Sequence, residues 1–117
     1  MVVSISYGLA VDGGNMEDLS YRFSSELWLW TSGKGTAWHF LTIPVDDADH
    51  IRFFSAHLQR GFKSLRVSVT IGDTQWKTSI FPSNERQSYI LPVKKSVRQS
   101  EDIGFGDTVD VFMKILD

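Results

Sequence analysis

The side chains in this sequence with chemistry to offer are three histidines, four tryptophans and two groups of basic residues. Asp46, His50, Phe53 and His57 fall on one helical stripe. His50 and His57 are two helical turns, about 10 Å, apart, too far to share an ion whose ligands sit about 2 Å from it. That stripe therefore reads as a solvated face, and neither a metal nor any other cofactor is expected. His39 lies in a strand-like run, TAWHFLTI, on the face opposite Trp38 and Phe40. Paired with the hydroxyl of Ser79 or Thr78 it would serve as the general base of a small hydrolase or transferase. No Ser-His-Asp grouping can be assembled from spacing alone, so a packed or hydrogen-bonded strand histidine is favoured and no catalytic residue is assigned.

The tryptophans, Trp28, Trp30, Trp38 and Trp76, have two readings. They line an apolar ligand pocket or base-stacking platform, or they fill a barrel core. The core reading is favoured for most. Trp28 and Trp30 alternate with Leu27 and Leu29, so that strand is apolar on both faces and one face must meet a helix, the N-terminal segment or another subunit. A homodimer interface is the second reading. Arg60, Lys63 and Arg66 form one basic group and Lys94, Lys95 and Arg98 another. Together they would make a positive groove for phosphate or nucleic acid, or simply solvate the surface. Arg98 also has Glu101 and Asp102 within reach, for a surface bridge worth under about 1 kcal/mol. The residues put forward for ligand binding are Trp38, His39, Trp76, Ser79, Lys94, Lys95 and Arg98. Gly33-x-Gly35 and Gly104-x-Gly106 are too short for a dinucleotide or phosphate loop and read as turns.

The elements that must position these groups are mostly strands. Val3, Ile5, Tyr7, Leu9 and Val11 alternate up to the turn at Asp12-Gly13-Gly14-Asn15. Met16 offers an alternative start, so residues 1–15 are a dispensable extension or, preferably, an added edge strand. Residues 21–31 and 36–43 form a hairpin about Ser32-Gly33-Lys34-Gly35. Helical spacing over residues 45–58 follows Pro44, with Asp46 or Asp47 as its cap. Residues 64–71 and 74–81 flank Gly72-Asp73, a short hairpin signal, and Pro82-Ser83-Asn84 ends the second of them. A short strand over 87–91, a helical turn over 94–100 and a last strand over 108–116 complete the chain. The order strand, Pro-Val, helix, Gly-Phe, strand occurs twice, anchored at Pro44-Val45 with Gly61-Phe62 and at Pro92-Val93 with Gly104-Phe105. One such unit cannot close a core, and two packed about a pseudo-two-fold axis can.

The expected fold is mostly β: a small double-split β-barrel of about six to seven strands with two short helices. Residues 1–20 are an N-terminal extension and residues 21–117 a single domain. The length of 117 residues suits one domain, and 8 Phe, 4 Trp and 3 Tyr argue against disorder. A net charge of −2 does not favour nucleic acid as a partner. Without cysteine there is no disulfide, thiolate metal site or Cys nucleophile. No apolar run approaches a membrane span of about 20 residues, and the first residues lack the basic start of a signal peptide. Membrane association is therefore not expected, and a cytoplasmic location is.

LPVKKSVRQSEDIGFGDTVDV resembles the half-barrel of AbrB/MazE-type swapped-hairpin proteins, with Pro92, Lys95 and Arg98 before Gly106-Asp107. Over more of the chain, from Phe23 to Ile115, the sequence resembles the bacterial domain-of-unknown-function family 1905. FSSELWLW, WHFLTIP, RGFKSLRVSVTIG, WKTSIFP, YILPVKKSVR and GDTVDV carry that likeness, in that order. The resemblance implies a double-split barrel closed within one chain, and no activity. The leading expectation is a non-enzymatic module that binds a ligand or a protein. The alternatives are a nucleic-acid-binding or antitoxin-like regulator and, behind it, a small hydrolase.

Overall fold

The structure, a computed structural model, describes residues 19–57 and 63–116. The edge strand expected within residues 1–15 and the Gly61-Phe62 anchor lie outside the described residues. Alternation over Ser20–Glu26 sends Tyr21 and Phe23 inward and Arg22 and Ser24 outward, which makes strand β1. Trp28–Thr31 is β2 and Ala37–Thr42 is β3. The period then lengthens to helical over Val45–His57, helix α1, and returns to two at Leu65–Ile71, β4. Strand β5 spans Thr74–Ser83 and β6 spans Ser88–Pro92. Lys95–Glu101 forms the short helix α2, closed by Asp102 in the left-handed conformation, and Thr108–Ile115 is β7.

The residue-21-to-31 strand differs from expectation in one respect: it divides at Leu27. Its first half, β1, pairs with β7, and its second half, β2, pairs with β3. Leu27 is fully buried at the joint, where its N–H donates to the Asp107 carbonyl (2.9 Å) and its carbonyl accepts from Gly106 (2.8 Å). Strand β5 behaves alike. Leu65 to Ile71 pair with Ile80 to Thr74, whereas Phe81, Pro82 and Ser83 pair with β6. Pro82 thus lies inside the strand instead of ending it, at the place where β5 exchanges one partner for another and the ladder is three residues long. All seven strands run antiparallel in the order β1-β7-β4-β5-β6-β3-β2, and the first and last of these are consecutive in the chain. The sheet is therefore curled back on itself.

The repeat read from the sequence is present in the pairing. Strands β3 and β6 pair through Thr42↔Ile90, and β4 and β7 through Val69↔Met113. Exchange about those two pairs relates β1 to β5, β3 to β6 and β4 to β7, with α1 and α2 following Pro44 and Pro92. Tyr21 pairs with Met113 and Trp76 with Val69, so Tyr21 and Trp76 hold equivalent positions in the two halves.

The interior is filled by Leu, Ile and Val from both halves, with Tyr21, Tyr89 and Met113 among its largest fully buried side chains. Burying such a side chain contributes roughly 1.5–3 kcal/mol. The tryptophans are not in this core, contrary to expectation. Trp30 and Trp38 are 49% and 51% exposed, Trp28 is half-buried, and Trp76 packs against the core from outside. Indoles are too bulky for an interior that Val and Leu already fill at close-packed density. Among the described residues no helix is long and apolar enough to cross a membrane.

Candidate functional site

Strand β5 leaves β6 at Ile80, and the two diverge toward Thr74 and Pro92. A cleft of about 490 Å³ opens there. Its walls are the start of β3 (Ala37, Trp38, His39), the first half of β5 (Trp76, Lys77, Thr78) and the segment leading into α2 (Pro92 to Lys95, with Arg98). Six of the seven residues put forward from the sequence, Trp38, His39, Trp76, Lys94, Lys95 and Arg98, come together on it. Ser79 does not line it. Ser79 sits beyond Thr78, toward the end where β5 closes onto β6 from Phe81. Of the hydroxyls considered beside His39, Thr78 alone shares the cleft.

The pseudo-symmetry accounts for how the two halves differ beside this cleft. In the first half α1 is 13 residues long and covers the split beside β1. Tyr21 is fully buried there, its hydroxyl hydrogen-bonded to His50 Nδ1 at 2.7 Å, with the two rings edge to face. His50 also packs on Phe54. His50 is therefore part of the packing rather than the solvated face expected of it, and burial lowers its pKa. His57 is in the helix, but its side chain lies outside the described residues. In the second half α2 has only 7 residues, and the space beside Trp76 stays open. Counted from the shared Pro-Val, Asp46 and Asp47 in the first half correspond to Lys94 and Lys95 in the second. One pair is acidic and the other basic.

Among the described residues the charge in the cleft is of one sign: Lys77, Lys94, Lys95 and Arg98 line it, and no carboxylate does. The Arg98 bridge to Glu101 or Asp102 is absent. Glu101 instead accepts from the Thr74 hydroxyl and lies over Gly72, which draws it away along α2. Arg98 Nε donates to the Val93 carbonyl (3.1 Å), and Val93 N–H donates to the His39 carbonyl (2.9 Å). The guanidinium is thus fixed to the backbone by one nitrogen, and among the described residues its two terminal amino groups make no hydrogen bond. His39 Nδ1 is buried without a hydrogen-bond partner. Burial, and secondarily the nearby Arg98, lower the His39 pKa, so the ring is neutral at pH 7. Of the other basic group, the described members do not line the cleft. Lys63 and Arg66 are exposed elsewhere, and Arg60 lies outside the described residues.

Next to the cleft is an aromatic face that spacing alone did not reveal as such. Trp28↔Phe40 and Trp30↔Trp38 are cross-strand pairs, which sets all four rings on one side of the β2–β3 hairpin. Trp38 lies parallel to Phe40, Trp28 contacts Phe40, and the Arg86 guanidinium sits 3.6 Å above the Trp28 ring. Trp28 Nε1 donates to Thr42 Oγ1 (2.8 Å). Lys77 was also missed, since beside Trp76 it reads as an ordinary outward strand residue. Asp47 was missed as well. Expected as a helix cap, it is buried, and neither carboxylate oxygen has a hydrogen-bond partner. Burial, with Asp46 adding to it, pushes its pKa up to about 6.

The model of a domain of unknown function, DUF1905, matches residues 23–113. The chain belongs to that family. The match spans both halves of the repeat and every described residue lining the cleft, so this cleft lies within the DUF1905 domain. No curated protein matches the chain.

Proposed function

We propose that this DUF1905 domain is a non-enzymatic binding module whose cleft takes a small anionic ligand. The observation that carries this reading is the set of four cations, with no carboxylate among the described residues of the lining, on a chain whose net charge is −2. Like charges gathered against low-dielectric walls repel one another, and an anion relieves that repulsion. Arg98 is suited to receive one, because a guanidinium held by Nε presents its remaining donors as a planar fork. The lining offers His39 and Thr78 but no carboxylate to orient the imidazole, which favours binding over hydrolysis.

Isothermal titration with pyrophosphate, at low and at physiological salt, tests this. Binding is expected at low salt, weakened by added salt and weakened again in Lys95→Glu. Heats that are absent at millimolar concentration, or unchanged in Lys95→Glu, would sink it.

A nucleic-acid-binding role is the second reading. The relationship to AbrB/MazE-type domains that it invokes is supported by the exchanged pairing of β1/β2 and β5. The aromatic hairpin face next to the cleft also favours it, since bases stack on such rings. A gel shift with single-stranded and duplex oligonucleotides separates the two: retention at physiological salt, stronger than any small-anion binding, would favour the nucleic acid.

A further inference from the structure

From the walls of the cleft we infer that its ligand is a flat aromatic ring carrying a phosphate dianion, the chemistry of a mononucleotide. This rests on the anion-binding reading above and goes further by naming the body of the ligand as well as its charge.

The two indoles of the cleft are the first argument. Trp38 is held with its plane within 9° of the Phe40 ring, and half of its surface remains open. A ring fixed on one face by a neighbour is a platform for a second ring on the other, because offset stacking is the preferred arrangement of aromatic pairs. Trp76 comes from a different strand and is backed by the core, so it is equally fixed. An aliphatic ligand would not need two rigid π-surfaces.

The number and kind of cations are the second argument. A single carboxylate would leave most of the positive potential of Lys77, Lys94, Lys95 and Arg98 unanswered. A phosphate monoester carries between one and two charges at neutral pH and offers three acceptor oxygens. Those oxygens match a guanidinium fork together with lysine ammonium groups. A cleft of about 490 Å³ falls within the range usual for sites of small molecules.

The test is isothermal titration of the full chain, at one pH and salt concentration, with adenosine monophosphate, phenyl phosphate, inorganic phosphate and benzoate. Both aromatic phosphates are expected to bind roughly tenfold or more tightly than phosphate or benzoate, since stacking and the second charge each contribute about that factor. Trp38→Ala, at an exposed position, is expected to remove the advantage of the aromatic phosphates and to leave inorganic phosphate unchanged. Lys94→Ala is expected to weaken all the phosphates together. If inorganic phosphate binds as tightly as adenosine monophosphate, or Trp38→Ala has no effect, the aromatic inference fails while the anion site stands. If none of the four binds, both fail. Affinity that rises with the length of a single-stranded oligonucleotide beyond that of the mononucleotide would overturn the small ligand in favour of a strand.

Discussion

Two residues carry ionisation behaviour that ordinary spacing rules do not anticipate. Asp47 is buried with both oxygens unpaired, so its carboxylate is disfavoured in the folded state and its pKa rises to about 6. A group whose folded pKa is raised stabilises the fold below its unfolded value near 4 and withdraws that stability as pH rises through 6. Asp47→Asn is therefore expected to raise stability at pH 7 by up to about 3 kcal/mol, and to flatten its decline between pH 4 and 7 in urea titrations. A destabilised Asn variant would contradict this account. His39 shifts the other way. Its lowered pKa keeps it neutral at pH 7, and an anion in the cleft favours the protonated ring. Anion affinity is thus expected to increase as pH falls below 6.5, and to lose that added dependence in His39→Gln. Neither behaviour was legible beforehand: Asp47 looked like a cap and His39 like a packed strand residue, because burial comes from tertiary contacts.

At the scale of elements, most boundaries could be read. The Gly72-Asp73 hairpin is one. Gly72 takes φ 58°, the conformation that a two-residue turn of the II′ type asks for at its first position. A Cβ there would fall 2.0 Å from Glu101 Oε1. Gly72→Ala is therefore expected to cost about 1–2 kcal/mol, part of it by pushing Glu101 off Thr74 and loosening α2. Combined with Glu101→Ala, the double variant should recover the steric part but not the part due to φ, as measured by chemical denaturation. Additive losses would place Glu101 elsewhere. The changes of partner at Leu27 and Pro82 were not legible. Periodicity reports which face a residue takes and says nothing of which neighbour the strand pairs with, so a strand that exchanges partners midway looks continuous. For Pro82 the usual rule misled, because a missing donor matters little where the ladder is about to change hands.

Across the whole molecule, the duplicated order of strand, Pro-Val, helix and strand was visible in the sequence, and the pairing through Thr42↔Ile90 and Val69↔Met113 reflects it. What the order hid was asymmetry of use. One half covers its split with a long helix and a Tyr21–His50 contact, whereas the other leaves its split open and lines it with cations. Six candidate residues met at that opening because aromatic and basic types were weighed together. Ser79 did not, because it sits toward the end where β5 and β6 come together. The placement of the indoles outside the core has a practical outcome for anyone following this protein by light. Trp30 and Trp38 are half exposed in the native state, so the change in tryptophan emission on unfolding will come mainly from the partly buried Trp28 and Trp76. The sequestered chromophores are Tyr21 and Tyr89, and near-ultraviolet dichroism of tyrosine is the signal that will report when the interior comes apart.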